Sequence, residues 1–196
     1  MNNIAELKLV IFDLDGTLVD SQLNFDLMRE EMGLPKGMPI LEELEKIENL
    51  DHKKSLTEIV LRHEIEGAHK AQLMPGVEEF LRLIRSRNIK TAILTRNHDL
   101  PVEITLKKIP HKFDIVMTRS HYLPPKPNPA GLIEICRLLQ TQIDQAIYIG
   151  DYKFDLDAAK NAGMKSILYA PTNQVFEDLA DLVIRHFDEL SQLMLD

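Results

Sequence analysis

Cysteine is almost absent: Cys136 is the single one in 196 residues. That rules out an intrachain disulfide and suits a reducing compartment. An excess of basic residues is absent too. Lys and Arg number 23 against 31 Asp and Glu, giving a formal net charge of −8. A general nucleic-acid binder needs clustered cations for its phosphate contacts, so no nucleic-acid partner is expected. No apolar run is long enough for a transmembrane span, and no membrane association is expected. The opening residues Met1-Asn2-Asn3-Ile4-Ala5-Glu6 lack the basic and apolar regions of a signal peptide, which makes the cytoplasm the expected compartment. The seven histidines show no metal-binding spacing and suggest no zinc site. Internal repeats and low-complexity segments are also missing.

What is present is an ordinary globular composition, 44% hydrophobic and 28% charged, long enough for one core with a smaller insertion. Short runs rich in Val, Ile and Leu recur at 8–12, 90–95, 114–117, 146–149 and 166–169, with a weaker one at 182–184. Such runs suit parallel strands buried on both faces. Helical spacing separates them: Val77, Phe80, Leu81 and Ile84 follow Pro75, and Leu132, Ile135, Cys136 and Leu139 form a second stripe. Cys136 on that stripe reads as a core residue rather than a nucleophile. The alternation predicts an α/β fold with helices on both faces of a parallel sheet.

Residues 20–74 break the pattern. They contain no convincing strand, but Phe25, Met28 and Met32 share one helical face, and Leu56, Ile59, Val60 and His63 another. More than about fifty residues is too long for one ordinary crossover. The expectation is a core formed by 1–19 and 75–196, carrying a small all-helical cap at 20–74 that lies over a cavity and excludes water.

The chemistry begins at Asp13-Leu14-Asp15-Gly16-Thr17, directly after the run Leu9-Val10-Ile11-Phe12. Open α/β sheets bind ligands at the carboxyl ends of their strands. Strand alternation puts Asp13 and Asp15 on one face. Like charges that close need relief, most simply from a hard cation such as Mg²⁺, which takes oxygen ligands and usually substrate phosphate as well. Gly16 eases the strand exit, and Thr17 can hydrogen-bond a carboxylate there. A plain Asp-x-Asp-Gly turn is the alternative reading of this motif. Three later strand ends add further groups. Leu94-Thr95-Arg96-Asn97 offers a hydroxyl and backbone amides suited to a phosphoryl oxygen. Lys126 sits among prolines that position one ammonium before a helix, or is simply an exposed lysine. Gly150-Asp151-Tyr152-Lys153-Phe154-Asp155 supplies two more carboxylates, Asp151 leaving a strand and Asp155 opening a helix, where it can also serve as a cap.

In their order, DLDGT at 13–17, LT at 94–95, Lys126 in KPNP and GDYKFD at 150–155 resemble the four motifs of the haloacid dehalogenase-like superfamily, specifically its phosphatases with a helical cap, such as those of the phosphoglycolate phosphatase and β-phosphoglucomutase type. The stretch LDAAKNAG at 156–163 is similar to the family's usual continuation, and the resemblance spans nearly the whole chain. It implies a Rossmann-like core and a Mg²⁺-dependent phosphatase acting on a small phosphorylated metabolite, as a monomer or weak homodimer. By the same resemblance Asp13 is the nucleophile that forms an aspartyl-phosphate, and Asp15 the acid and then the base. Mg²⁺ is held by the side chains of Asp13 and Asp151 and by the Asp15 carbonyl. Asp155 supports the metal or orients Lys126, while Thr95 and Lys126 hold phosphoryl oxygens. From its position at the strand exit, Arg96 is a further phosphate-binding candidate, through its backbone amide rather than its side chain.

Asp15 separates the branches of the superfamily that the chain resembles. Dehalogenases generally lack an aspartate there, and the phosphonate-cleaving branch also departs at this position, so phosphate-ester chemistry is implied. A phosphomutase is the nearest enzymatic rival. A phospho-accepting signalling module is a rival of another class, although such modules lack the inserted helices and the DLDGT spacing. Within the cap, Arg29, Lys53, Lys54, Arg62 and His63 are candidates for contact with an anionic substrate, His63 reading more readily as part of the cap's core.

Overall fold

The computed structural model describes residues 6–121 and 124–195. In chain order, β1 (Leu9–Phe12) and β2 (Val19–Asp20) precede the helices α1 (Phe25–Glu31), α2 (Ile40–Glu45) and α3 (Leu50–Lys70). Then come β3 (Gln72–Leu73), α4 (Val77–Ser86), β4 (Lys90–Leu94), α5 (Asp99–Leu106), β5 (Ile115–Met117) and α6 (Ala130–Leu138). The chain closes with β6 (Ala146–Gly150), α7 (Lys153–Ala162), β7 (Lys165–Tyr169), β8 (Leu182–Ile184) and α8 (Phe187–Leu195).

Six strands form one parallel sheet in the order β5-β4-β1-β6-β7-β8. Every residue of β1 is buried, as a strand covered on both faces must be. Its alternation divides the core. Val10 and Phe12 face a cluster with Phe80 and Ile84 of α4, Val102 of α5 and Phe187 of α8. Leu9 and Ile11 face the other, with Leu132 and Ile135 of α6 and Ala158 of α7. Cys136 belongs to this second cluster, and burial pushes its thiol up to about 11, leaving it unreactive as a nucleophile. The six strands expected from the apolar runs are all present, and the architecture is the expected α/β, Rossmann-like one. Among the described residues no helix is long and apolar enough to cross a membrane.

The connections run outward to β4 and β5 on one side of β1, and to β6, β7 and β8 on the other. The carboxyl ends of β1, β4 and β6 therefore border the switch point, where such sheets bind ligands. The helices α1, α2 and α3 rise beside this edge on a two-stranded antiparallel ribbon, Val19 pairing with Leu73 and Asp20 with Gln72. That ribbon corrects the expectation of a segment without strands. Two residues per strand are too few to produce a readable period. The insertion has its own apolar cluster of Met28, Met32, Ile40, Leu44, Leu56 and Val60. Phe25 departs from the expected stripe: it is half exposed and stands outside this cluster.

Candidate active site

β1 ends at Phe12, and the amide of Asp13 still donates to the Ile149 carbonyl at 2.8 Å, fixing Asp13 at the strand exit. The chain then turns, with the amide of Gly16 donating to Val19 O and that of Leu18 to Leu14 O. Gly16 adopts φ +82°, and a Cβ there would stand 2.2 Å from Asp151 Oδ2. Backbone conformation and the neighbouring carboxylate thus both demand glycine. Gly150 is constrained by close approach alone, since a Cβ would meet Asp155 at 2.4 Å.

Lys126 is 2% exposed, which settles its alternatives against a surface lysine. Its Nζ lies 2.6 Å from Asp13 Oδ1, 2.6 Å from Asp155 Oδ1, 2.7 Å from Tyr148 Oη and 3.1 Å from the Leu94 carbonyl. An ammonium has three N–H donors, so four acceptors compete for them and orient the group tightly. Asp155 serves two purposes: Oδ1 accepts from Lys126, and Oδ2 accepts from the Tyr152 amide at the start of α7. Contrary to the expectation from the sequence, Asp155 neither opens the helix nor sits at its cap: it is the third residue of α7 and reaches back to the Tyr152 amide as in a capping box, while its other oxygen meets Lys126. Thr17 Oγ1 donates to Asp151 Oδ1 at 3.3 Å, as its position suggested. Thr95 is buried at the end of β4, and its hydroxyl accepts from the Asn97 amide at 3.2 Å.

Carboxylate oxygens of Asp13, Asp151 and Asp155 all lie within 4.8 Å of one another. Burial, joined by repulsion from Asp155, pushes Asp13 up to about 7 despite the attraction of Lys126. Burial and the charges of Asp13 and Asp155 push Asp151 well above the usual carboxylate range. One lysine does not offset this concentration of negative charge. A donor set made only of carboxylate oxygens, crowded and raised in this way, fits a hard divalent cation.

Asp13 and Asp15 line the same cavity, but strand alternation does not carry through to Asp15, because the turn intervenes. The Asp15 carboxylate instead accepts from Asn97 Nδ2 at 2.5 Å and from Ser21. Burial raises it to about 6, opposed by these two hydrogen bonds and reinforced by the charge of Glu64. It stands on the side of the cavity that faces the inserted helices.

Two ion pairs hold those helices to the core. Arg119 engages Glu64 of α3 through both terminal nitrogens, at 2.5 and 3.1 Å. Arg96 reaches Glu42 of α2 at 2.6 Å, with its guanidinium 4.8 Å above the Phe154 ring. The side chain of Arg96 is therefore turned toward the insertion, in keeping with the expectation that its backbone amide matters more than its side chain. Of the five charged residues singled out on the insertion, Arg29 alone lines the cavity. Lys53 pairs with Glu45, Arg62 with Glu31, and Lys54 is exposed. His63 is buried within the insertion with Nε2 3.3 Å from Glu31, as a core histidine. Glu42, Glu64 and Arg119 carried no sequence signal, and Asn97 stood out only as part of the strand-end stretch 94–97, not for its side chain.

Tyr148 is fully buried in β6, and its hydroxyl touches Lys126 Nζ, Asp155 Oδ1 at 2.9 Å and Leu94 O at 3.1 Å. Only a weak hint existed, a tyrosine among aliphatic strand residues two positions before Gly150. Tyr148→Phe leaves Lys126 with Asp13, Asp155 and a carbonyl, so the fold should survive with a loss of about 1 kcal/mol. Because the ammonium is then less tightly held, kcat is expected to fall about 10-fold with KM within about twofold. An unchanged kcat in steady-state assays would contradict a positioning role.

A family model of haloacid dehalogenase-like hydrolases matches residues 23–169. A haloacid dehalogenase-like hydrolase domain-containing protein of Arabidopsis thaliana is 30% identical over 189 residues, covering 90% of this chain and 76% of its own. A phosphoglycolate phosphatase of Pseudomonas syringae pv. tomato is 29% identical, covering 82% of this chain and 68% of its own. Among solved structures, a hydrolase from Pseudomonas syringae superposes with a TM-score of 0.79 at 21% identity, covering 95% of this chain and 97% of its own. The fold, the strand-end motifs and these likenesses define the class: the chain belongs to the haloacid dehalogenase-like hydrolase family. It is an enzyme of that family.

Proposed function

We propose that the protein is a Mg²⁺-dependent phosphatase, hydrolysing a phosphate monoester of a small soluble metabolite through an aspartyl-phosphate on Asp13. The observation that carries this reading is the cluster of Asp13, Asp151 and Asp155 around Lys126, with carboxylate oxygens within 4.8 Å and Nζ 2.6 Å from Asp13. The likeness to proteins named as phosphoglycolate phosphatases, and to a Thermotoga maritima phosphorylated carbohydrates phosphatase at 29% identity, supports phosphate-ester chemistry. The core 1–19 and 75–196 supplies the chemistry, and the insertion 20–74 acts as a cap that excludes water. The enzyme works in the cytoplasm as a monomer or weak homodimer.

In the first step an oxygen of Asp13 bonds to phosphorus as the ester P–O bond breaks, and Asp15 gives its proton to the departing alkoxide. In the second, water bonds to phosphorus and passes a proton to Asp15, and the bond between phosphorus and Asp13 breaks to release phosphate. A carboxyl raised to about 6 can both give and take a proton near neutrality. Lys126 and Thr95 hold phosphoryl oxygens, with the Arg96 backbone amide beside them. The side chains of Asp13 and Asp151 and the Asp15 carbonyl would hold Mg²⁺, and Asp155 orients Lys126. When bound, the cation offsets the repulsion between an anionic nucleophile and an anionic ester.

Chelation tests this with two readouts. EDTA should abolish phosphate release and added Mg²⁺ restore it; an undiminished metal-free rate would contradict the assignment. Stability gives the second readout. In the chelated protein Asp13 and Asp15 stand at about 7 and about 6, above the ordinary 3.8. Between these values the folded chain holds protons that the unfolded chain has released, so stability falls as pH rises from about 4 to 7. Mg²⁺ should accordingly raise Tm more at about pH 8 than at about pH 5. The reverse ordering would exclude the carboxylate site.

A further inference from the structure

The phosphoryl end of the cavity, at Asp13, Thr95 and Lys126, is a small part of it. The whole encloses about 640 Å³, a volume typical of sites for drug-sized ligands. The rest lies between the insertion and the core, and its walls carry aromatic rings from both sides. Phe25 shares a helical face with Met28 and Met32, yet only the two methionines join the insertion's core. Phe25 is 50% exposed and lines the cavity. Opposite in the chain, Tyr152 follows Asp151 directly, lines the same cavity and is 52% exposed. Its orientation is fixed by edge-on packing against Phe154 at 5.3 Å and Phe176 at 5.4 Å. Large apolar groups left open inside a concave site mark a surface that a ligand covers.

The charges of this outer region point the same way. Arg29 donates to the Met38 carbonyl at 2.8 Å and to Asp26 at 2.9 Å. Arg96 is paired with Glu42 and stacked on Phe154. Asp20, Glu42 and Glu64 also line the cavity. Arg29 and Arg96 already have carboxylate partners, so a second anionic group on the substrate would compete with Asp26 or Glu42 for them and would lie near Asp20 and Glu64. An uncharged ring meets no such cost.

We infer that the substrate is a phosphate monoester whose alcohol carries an uncharged aromatic or heteroaromatic ring, seated against Phe25 and Tyr152, rather than a short acid bearing a second charge. This inference rests on the phosphatase reading above. The test compares kcat/KM for inosine 5′-monophosphate, ribose 5-phosphate and 2-phosphoglycolate, using p-nitrophenyl phosphate as a general reporter of hydrolysis. The first two share a primary ester and differ by the ring. Stacking on an aromatic side chain supports a preference of about 10-fold or more for the ring-bearing ester. Phe25→Ala and Tyr152→Ala should each cut that ratio severalfold. Phe25→Leu, which keeps the apolar bulk and removes the ring, should do so without disturbing the fold. A ratio near one in the wild type, a ratio unmoved by all three variants, or a preference for 2-phosphoglycolate would overturn the inference. So would hydrolysis confined to p-nitrophenyl phosphate, whose rate reports its activated leaving group rather than a seated ring; the phosphatase reading would then stand. Failure to hydrolyse any of the four esters would overturn both.

Discussion

Asp13→Asn is expected to lower kcat/KM by at least about 10³-fold, because it removes the group that bonds to phosphorus, and the other residues do not replace it. The same change should stabilise the chelated protein. Asp13 is buried beside Asp151 and Asp155, and burial with their repulsion raises its carboxyl to about 7. Asparagine keeps an oxygen for Lys126 and discards the charge. A gain of about 1–2 kcal/mol, or roughly 2–8 °C in Tm for a chain of this size, should appear at neutral pH without metal. Addition of Mg²⁺ should then shift the variant's Tm far less than that of the wild type. Loss of activity with loss of stability would point to a structural role for Asp13. Near-normal turnover would end its assignment as nucleophile.

Asp15→Asn separates the two chemical steps. Alkyl phosphates depart as strongly basic alkoxides and need the proton, so their turnover should fall about 10²- to 10⁴-fold. p-Nitrophenyl phosphate departs without help but still needs a base to activate water in the second step. With this ester the variant should release one equivalent of nitrophenolate per site rapidly and then turn over slowly. Alkyl esters should give no such burst. The geometry motivates the contrast: Asn97 and Ser21 hold the Asp15 carboxylate apart from the carboxylate cluster, on the side facing the insertion. Equal losses on both ester types with no burst would remove Asp15 from acid-base work.

The parts of this site that were legible in the sequence are those encoded locally. Asp13, Thr95 and Asp151 each follow an apolar run that becomes a strand of one sheet, so reading the strands also placed the acids and the hydroxyl. Lys126 had a proline-rich setting and the resemblance to guide it, though not its burial. What escaped is made by tertiary packing. Nothing local marks Glu42 and Glu64, which meet Arg96 and Arg119 across 54 and 55 residues of chain. Tyr148 read as one more strand residue, since strand periodicity says nothing of a hydroxyl that reaches over the sheet edge to Lys126. Phe25 shows the limit of helical spacing, which identifies a face but not whether it meets a core or a cavity.

Every step proposed for this site depends on Asp13 accepting the phosphoryl group. Acid quenching within the first turnover, with Mg²⁺ and saturating p-nitrophenyl phosphate, followed by peptide mass spectrometry, tests this. A base-labile phosphoryl group is expected on Asp13 in the wild type, accumulating further in Asp15→Asn and missing from Asp13→Asn. Rapid phosphate release with the phosphoryl group never found on Asp13, or found on another side chain, would contradict it.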